Sequence, residues 1–477
     1  MSIVRILAIV ISMLSLLIIP AFITALVLGE AMTKAFLIPI TLGVLPGLSA
    51  AFFFRKIPLS LRVRDGFLLV FLVWAFAVLT GSLCYYFAPV NMGWVNAIFE
   101  SACGFSTTGA TTISDFEALP RSLLLWRSIS HWAGGMGIIL LFVALLPLLG
   151  VSNYQLIKAE VSGPEKERLR PRITDTAKII WAVYCAFTAI LIILYRLGGM
   201  TWFDAVCQAL TIISTGGVSI RNGGLAYYNS PFIDWVTVAF MLLGAINFSL
   251  YYRLIRGKFL ELVHNTELRA FFLIFLVSSL IVSVNIIPSY DSVNEAFRFG
   301  FFQTASTLST AGNIRADYTA WPAMAQAVLF CLMLIGGCSG STAGGIKVIR
   351  HVILLKQSRN EFRRLLYPRG VFSIHLNRKV GRKDVVYGAA GFVFLYFAVI
   401  GISTLVTASS GLDLFSSLYN SIAITSNIGA GITAAGLLDS YYDLPDYLKL
   451  YYSLVMIVGR LELWTVLILL TPGYWKK

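Results

Sequence analysis

The residues best placed to do chemistry in this chain are small hydroxylated side chains and glycines, arranged in one short phrase that occurs four times. It reads Ser106-Thr107-Thr108-Gly109, Ser214-Thr215-Gly216-Gly217, Ser309-Thr310-Ala311-Gly312 and Ser426-Asn427-Ile428-Gly429. Each phrase closes a short apolar stretch, and recurrence about every hundred residues marks an internally repeated architecture. Serine, threonine and asparagine compete with the helix backbone, and glycine lets the chain turn outward. Four such bends meeting on one axis form a ring of backbone carbonyls that replaces the water shell of a dehydrated cation.

Aligned on the last glycine, the stretches are WVNAIFESACGFSTTG, WFDAVCQALTIISTGG, FRFGFFQTASTLSTAG and LFSSLYNSIAITSNIG. The seventh residue is polar every time: Glu100, Gln208, Gln303 and Asn420. An unsatisfied polar group in a membrane interior costs several kcal/mol. These four either brace the backbone of the bend or touch a passing ion, for which Glu100 is the best candidate. Each stretch is a half-helix whose C-terminal end, carrying roughly half a negative charge, faces the bend. Convergence of four such ends favours a cation and disfavours an anion.

The elements that must position these bends are membrane helices. The chain has 477 residues, 58% hydrophobic and only 13% charged, with a mean hydropathy of +0.80; soluble domains are nearer a quarter charged. About ten apolar runs approach the roughly 20 residues needed to span a bilayer: 6–29, 35–54, 66–88, 124–150, 176–197, 232–255, 270–289, 322–357, 385–408 and 446–471. The expected fold is an all-α integral membrane protein. Two N-terminal transmembrane helices (1–60) precede four pseudo-symmetric membrane–pore-loop–membrane repeats around a central pore, at 61–155, 156–262, 263–365 and 366–477. The first span lacks a cleavage site and reads as a retained helix.

The net charge of +14 does not indicate nucleic acid. Of 37 Lys and Arg, 27 lie in 55–64, 158–178, 253–269, 347–383 and 476–477, including the linker 165–172. The positive-inside bias puts these loops and both termini in the cytoplasm, so each bend is reached from outside. Trp94, Trp202, Trp321 and Trp475 suit interfacial anchoring. Six cysteines lack metal-ligand spacing and read as buried small residues. His131, a lone histidine at the start of a glycine-containing helix, reads as packed and hydrogen-bonded.

The run 322–357 is too long for one span, roughly 54 Å if helical. Its middle holds Gly336, Gly337, Gly340, Gly344 and Gly345, each costing about 1 kcal/mol in a helix. The reading is a broken helix with a loop at membrane depth, or a close-packing surface between helices. The stretch lacks a phosphate-binding or nucleophile-elbow pattern, which argues against an enzyme. Arg460 stands inside the last span, where a charge is costly and functional by default. It faces the pore and repels cations, or pairs with Glu462, a poor partner at two residues' spacing.

On these residues the chain resembles the Trk/Ktr/HKT superfamily of potassium transporters, and the two extra helices resemble its TrkH-like ion-translocating branch. The resemblance covers essentially the whole chain and maps the filter glycines to Gly109, Gly217, Gly312 and Gly429. It implies potassium preference, which in that family goes with glycine at all four positions. The lining carbonyls would be those of Thr107/Thr108, Thr215/Gly216, Thr310/Ala311 and Asn427/Ile428, with the fourth repeat the most divergent. It also implies a movable gate loop at 336–345, a matching pore arginine at Arg460, a homodimer, and a cytosolic TrkA-like nucleotide-binding gating subunit. The basic 347–383 segment would dock that subunit or simply face lipid. No cofactor is expected; K+ is the transported ion. The rival reading is a proton- or sodium-coupled secondary transporter, which the scarcity of acids in the spans disfavours.

Overall fold

The computed structural model describes residues 2–53, 63–137, 173–377, 379–380, 383–438 and 440–476. The basic linker 165–172, the loop at 54–62 and the inner part of the span read at 124–150 lie outside these residues. Among the described residues six helices are long and apolar enough to cross a membrane, or up to eight if two bent pairs each count as one span. The chain is therefore a multi-pass membrane protein.

The N-terminal pair is the span Ile3–Leu28 and the helix Thr33–Phe53. It is close-packed because Gly43 and Gly47 are spaced four apart: a Cβ on either would lie within 1.7 Å of Ser15 or Ser12 Oγ. Small residues at this spacing let membrane helices approach backbone to backbone. Glu30, in the turn between the two, accepts hydrogen bonds from Arg121 N at 2.8 Å and Ser122 N at 3.1 Å. That carboxylate caps the positive end of a helix in the first repeat and ties the pair to it.

Each repeat then has a long first helix: Val63–Tyr86, Ile173–Leu197, Thr266–Ile286 and Lys383–Ala408. A buried half-helix follows: Trp94–Ser106, Trp202–Ile213, Val293–Leu308 and Leu414–Thr425. Three half-helices start on a side-chain cap, with Thr201, Ser292 and Asp413 accepting the amides of Asp204, Glu295 and Ser416. Caps of this kind satisfy amides that no helical carbonyl can reach.

The second helices depart from expectation. A break was expected only in the third repeat, yet all four are short: Arg121–Gly135, Pro231–Ala245, Ala323–Met333 and Asp446–Arg460, of 15, 15, 11 and 15 residues. Fifteen residues rise about 22 Å, well under a 30 Å hydrocarbon core. The runs read as straight spans at 232–255 and 446–471 bend by 93° and 108°. Hydropathy cannot see these breaks, because apolar residues continue through them. Near these ends the helices pack closely on the half-helices. Gly134, Gly244 and Gly459 lie on the last carbonyls of their own half-helices, where an added Cβ would come within 1.8 Å of Phe105 O, 3.0 Å of Ile213 O and 2.3 Å of Thr425 O.

Two smaller expectations also change. Trp321 is buried and donates to Tyr290 Oη at 2.9 Å, so it is not an interfacial anchor. Cys185 and Cys331 are exposed, whereas the other four cysteines are buried.

Candidate ion-conducting site

The four phrases fold alike. In each, the residue two before the last glycine is left-handed: Thr107, Thr215, Thr310 and Asn427 have φ of 56°, 53°, 57° and 57°. Its amide bonds three residues back, to Gly104, Ile212, Thr307 and Ile424 O, at 3.0–3.2 Å. The next amide bonds five back, to Cys103, Thr211, Ser306 and Ala423 O, at 2.8–3.1 Å. This is the Schellman helix end, which normally uses glycine at the left-handed position. Positive φ at a β-branched residue is a true outlier, costing of order 1 kcal/mol or more and persisting where function holds it. Gly109, Gly217, Gly312 and Gly429 are left-handed as well, with φ of 84°, 69°, 67° and 76°.

The phrases also meet. A Cβ added at Gly109 would lie 2.7 Å from Gly216 O, and one at Gly217 would lie 1.8 Å from Ala311 O. One at Gly312 would lie 1.8 Å from Ile428 O, and one at Gly429 would lie 2.1 Å from Thr108 O. Repeat 1 thus touches 2, 2 touches 3, 3 touches 4, and 4 returns to 1. The cycle closes, and it brings together the carbonyls of Thr108, Gly216, Ala311 and Ile428 with all four glycines. Only glycine leaves room for a neighbour's carbonyl at such a distance.

Hydrogen bonds between repeats hold the cycle from outside. Arg127 of repeat 1 donates to Ser219 O of repeat 2 at 3.2 Å, and Arg315 of repeat 3 donates to Asp234 of repeat 2 at 3.0 Å. Tyr318 and Tyr419 link repeats 3 and 4 at 2.8 Å, and Tyr441 N of repeat 4 donates to Thr111 O of repeat 1 at 2.7 Å. The fourth repeat is the odd one. Tyr441 Oη donates to Gly429 O at 3.2 Å, and Asn427 Nδ2 bridges Thr108 Oγ1 and Met456 O at 2.9 Å each.

The polar seventh residues divide into two kinds. Glu100 accepts from Thr111 Oγ1 at 2.7 Å, Thr112 N at 2.5 Å and Arg127 Nε at 3.1 Å. Asn420 makes a reciprocal pair with Ile432, both bonds 2.9 Å. Both brace the chain returning from the bend. Gln208 Nε2 and Gln303 Oε1 are buried without a hydrogen-bond partner among the described residues, so a matching brace is absent from those two atoms.

Beneath the cycle, residues 334–347 are non-helical and link Ala323–Met333 to Val348–Leu366. The five glycines of 336–345 lie in this loop; Gly340 and Gly345 have φ of 72° and 68°. Thr310 Oγ1 accepts from Gly344 N at 2.7 Å, and Thr342 Oγ1 donates to Gly244 O at 2.9 Å. Gly344 lies so close to the fourth repeat that an added Cβ would be 2.2 Å from Ser426 O. At the inner end Gly336 N donates to Ile346 O and Val348 N to Gly337 O. The strained threonines therefore hold the bend and, through Thr310, the loop below it.

Arg460 joins three repeats. Its guanidinium donates to Thr342 O of the loop at 2.5 Å and to Gly134 O and Gly135 O of repeat 1 at 2.7 and 2.5 Å. A side chain from repeat 4 thus ties the loop of repeat 3 to the second helix of repeat 1. Glu462 bonds Arg350 instead, and the left-handed Glu462 and Leu463 make the bend that follows.

Several site residues escaped the sequence reading. Glu267 is buried and accepts from Ser339 N at 2.7 Å in the loop and from Ile349 N at 3.2 Å in the first turn of the next helix. Lys347 is buried and donates to Ala343 O. Acids within the helices are also commoner than expected: Asp204 and Asp234 are buried too, each paired with arginine. Their signals were ordinary ones, an acid in the first turn of a helix, which reads as a cap.

A family model described as TrkH, a cation transport protein, matches residues 28–476. The Trk system potassium uptake protein TrkH of Halomonas elongata is 35% identical over 486 residues, covering 100% of this chain and 99% of its own. Trk system potassium uptake protein TrkG of Escherichia coli K12 is 35% identical over 468 residues, covering 97% and 96%. The crystal structure of the potassium transporter TrkH from Vibrio parahaemolyticus superposes with a TM-score of 0.89 at 32% identity, covering 100% of this chain and 99% of the other. Matched from near one end to the other in sequence and in fold, this chain belongs to the TrkH family of cation transport proteins.

Proposed function

We propose that this protein takes up potassium across the bacterial cytoplasmic membrane through a carbonyl-lined filter. The observation that carries the reading is the closed cycle in which each filter glycine meets a carbonyl of the next repeat. The ion exchanges hydration water for the carbonyls of Thr108, Gly216, Ala311 and Ile428 and their neighbours. Four half-helix C-termini add their partial negative charge. Uptake runs on the membrane potential: 100 mV is worth about 2.3 kcal/mol per charge, and a hundredfold gradient costs about 2.7 kcal/mol, which a somewhat larger potential covers.

Below the filter, the loop 334–347 and Arg460 form the barrier. At an effective dielectric near 20, two unit charges 4 Å apart repel by about 4 kcal/mol, so a guanidinium on the path slows potassium steeply. Arg460 also pins the loop at Thr342 O, which couples the charge to the loop's position.

The regulator is a cytosolic, nucleotide-binding, TrkA-like partner acting on a homodimer whose termini face the cytoplasm. It docks on the basic segment 347–383, where the helix Val348–Leu366 exposes Leu355, Phe362 and Leu365 beside Arg359 and Arg363. A proton- or sodium-coupled carrier is less well supported. Its coupling site would need an exchangeable buried acid, and Glu100, Asp204, Asp234 and Glu267 are all bound to arginines or backbone amides.

The test is growth of a potassium-uptake-deficient bacterium on low potassium, with wild-type protein and with Gly109→Ser. Rescue by the wild type and a shift toward sodium in the variant are expected. Failure of the wild type to rescue, with the protein present in the membrane alongside its regulator, sinks the reading.

A further inference from the structure

Three buried acids around the filter are each matched with an arginine: Glu100 with Arg127, Asp204 with Arg221 (and with Tyr228), Asp234 with Arg315. His131 is not. It is fully buried on the helix Arg121–Gly135, and neither Nδ1 nor Nε2 has a hydrogen-bond partner among the described residues. A neutral imidazole carries one donor and one acceptor, and buried groups left without partners call for an explanation.

The explanation lies in what the ring touches. The four residues just before the filter glycines are Thr108, Gly216, Ala311 and Ile428, and only Gly216 lacks a side chain. Its backbone does not require glycine, since it is absent from the left-handed residues. A Cβ on Gly216 would instead lie 2.4 Å from His131 Nδ1, 3.0 Å from Cγ and 3.2 Å from Cβ. The imidazole of repeat 1 occupies the space where repeat 2 would carry a side chain.

The helix that carries the ring is tied on both sides of it. Trp132, the next residue, donates to Thr188 Oγ1 at 3.1 Å and accepts from Tyr184 Oη at 3.0 Å. One turn earlier Arg127 is tied to Glu100, and three and four residues later Arg460 holds Gly134 O and Gly135 O. In front of it, Gly216 O is the carbonyl that faces Gly109, with the widest of the four approaches, 2.7 Å against 1.8–2.1 Å elsewhere.

We propose that His131 is a positioning and specificity-determining residue for the filter, its imidazole being the rigid backing that sets how far the Gly216 carbonyl stands from the axis. The proposal rests on the filter reading above. Ion discrimination depends on the spacing and stiffness of coordinating carbonyls, so loss of the backing lowers potassium preference before it lowers transport.

The experiment measures potassium, rubidium and sodium uptake into proteoliposomes for wild type, His131→Ala, His131→Gln, Gly216→Ala and the pair His131→Ala/Gly216→Ala. His131→Ala is expected to reduce the potassium-to-sodium ratio roughly tenfold, the scale at which a poorly filled pocket discriminates. His131→Gln keeps most of the ratio. Gly216→Ala alone also lowers it, and the pair recovers it, because the new methyl fills the vacated space; such recovery is the coupling expected of residues in contact. Equal losses for all three ions, or an unchanged ratio in His131→Ala, overturn the proposal. Should His131→Ala fail to fold, Gly216→Ala alone decides the matter: a ratio matching wild type overturns it. Gly109→Ser separates the two readings. A shifted ratio there with none in the His131 variants removes only this proposal, and no shift in either removes the filter reading.

Discussion

The four bends that meet in the cycle and the four second helices that follow them, the outer and inner halves of the proposed pore, are built on opposite plans. Outside, four unlike sequences adopt the same helix end, the same left-handed residue and the same glycine contact with the next repeat. Inside, four second helices break in four different ways. The first ends at Gly135 with Gly137 left-handed, and the second turns at Asn247, whose side chain caps Ser249 N at 2.8 Å. The third opens into the loop 334–347, and the fourth turns through left-handed Glu462 and Leu463. Under the proposed function, coordination of one ion by four walls calls for likeness, whereas control calls for unlikeness, one element moving while three stay.

The strongest way to break this contrast is at the tightest joints of the cycle. Gly217→Ala or Gly312→Ala places a methyl 1.8 Å from a neighbouring carbonyl. A displacement near 1 Å at a coordinating group costs about a hundredfold, so potassium uptake should fall by about that factor. Gly340→Ala in the loop, whose added Cβ meets only the Asn247 side chain at 3.0 Å, should fall far less. Equal losses in cell uptake assays would erase the distinction between the halves.

Arg460→Ala comes next. It removes a charge from the path and three bonds that pin the loop to repeat 1. Flux through purified protein in proteoliposomes should rise tenfold or more, a factor of ten being about 1.4 kcal/mol of barrier. Arg460→Lys should lie between the two. Unchanged flux in Arg460→Ala would remove the arginine from the barrier.

Thr310→Val tests the link between the halves, since it keeps shape but deletes the acceptor for Gly344 N. One buried hydrogen bond is worth about 1 kcal/mol, so flux without the regulator should rise by about fivefold with ion preference unchanged. A change in preference instead would place Thr310 wholly in the filter.

The seventh residues give a smaller contrast within the outer half. Asn420→Leu deletes two bonds to Ile432 and should cost about 2 kcal/mol in unfolding measurements in detergent. Gln208→Leu, whose Nε2 has no partner to lose, should cost well under half of that. Similar costs would mean the four positions are equivalent after all.

The smallest effect belongs to the outer loops. The Asn222 amide beside Asp115 holds its carboxyl below the ordinary value of 3.8. A carboxyl depressed on folding contributes stability above its ordinary pKa and loses it as pH falls through the folded value. Asp115→Asn should therefore flatten the acid limb of thermal stability slightly; an unchanged limb would leave this tie between repeats 1 and 2 without weight.

By itself the sequence was sufficient for the class, the four phrases, the glycines that meet in the cycle, the broken third helix and the presence of a charge, Arg460, in the last apolar run. These are local or compositional: apolar length, helix-breaking residues and a charge in an apolar run are all visible in one dimension. It was insufficient for the breaks in the other second helices, the split between braced and unbraced seventh residues, the role of Glu267 and the place of His131. Each depends on what a distant part of the chain, in the same repeat or the next, brings within a few ångströms. Gly134 has no room for a side chain because Phe105 O lies against it, and the side-chain space of Gly216 is filled by an imidazole from the preceding repeat. Contacts between segments about a hundred residues apart leave no periodicity, and only the closed arrangement of four repeats decides them.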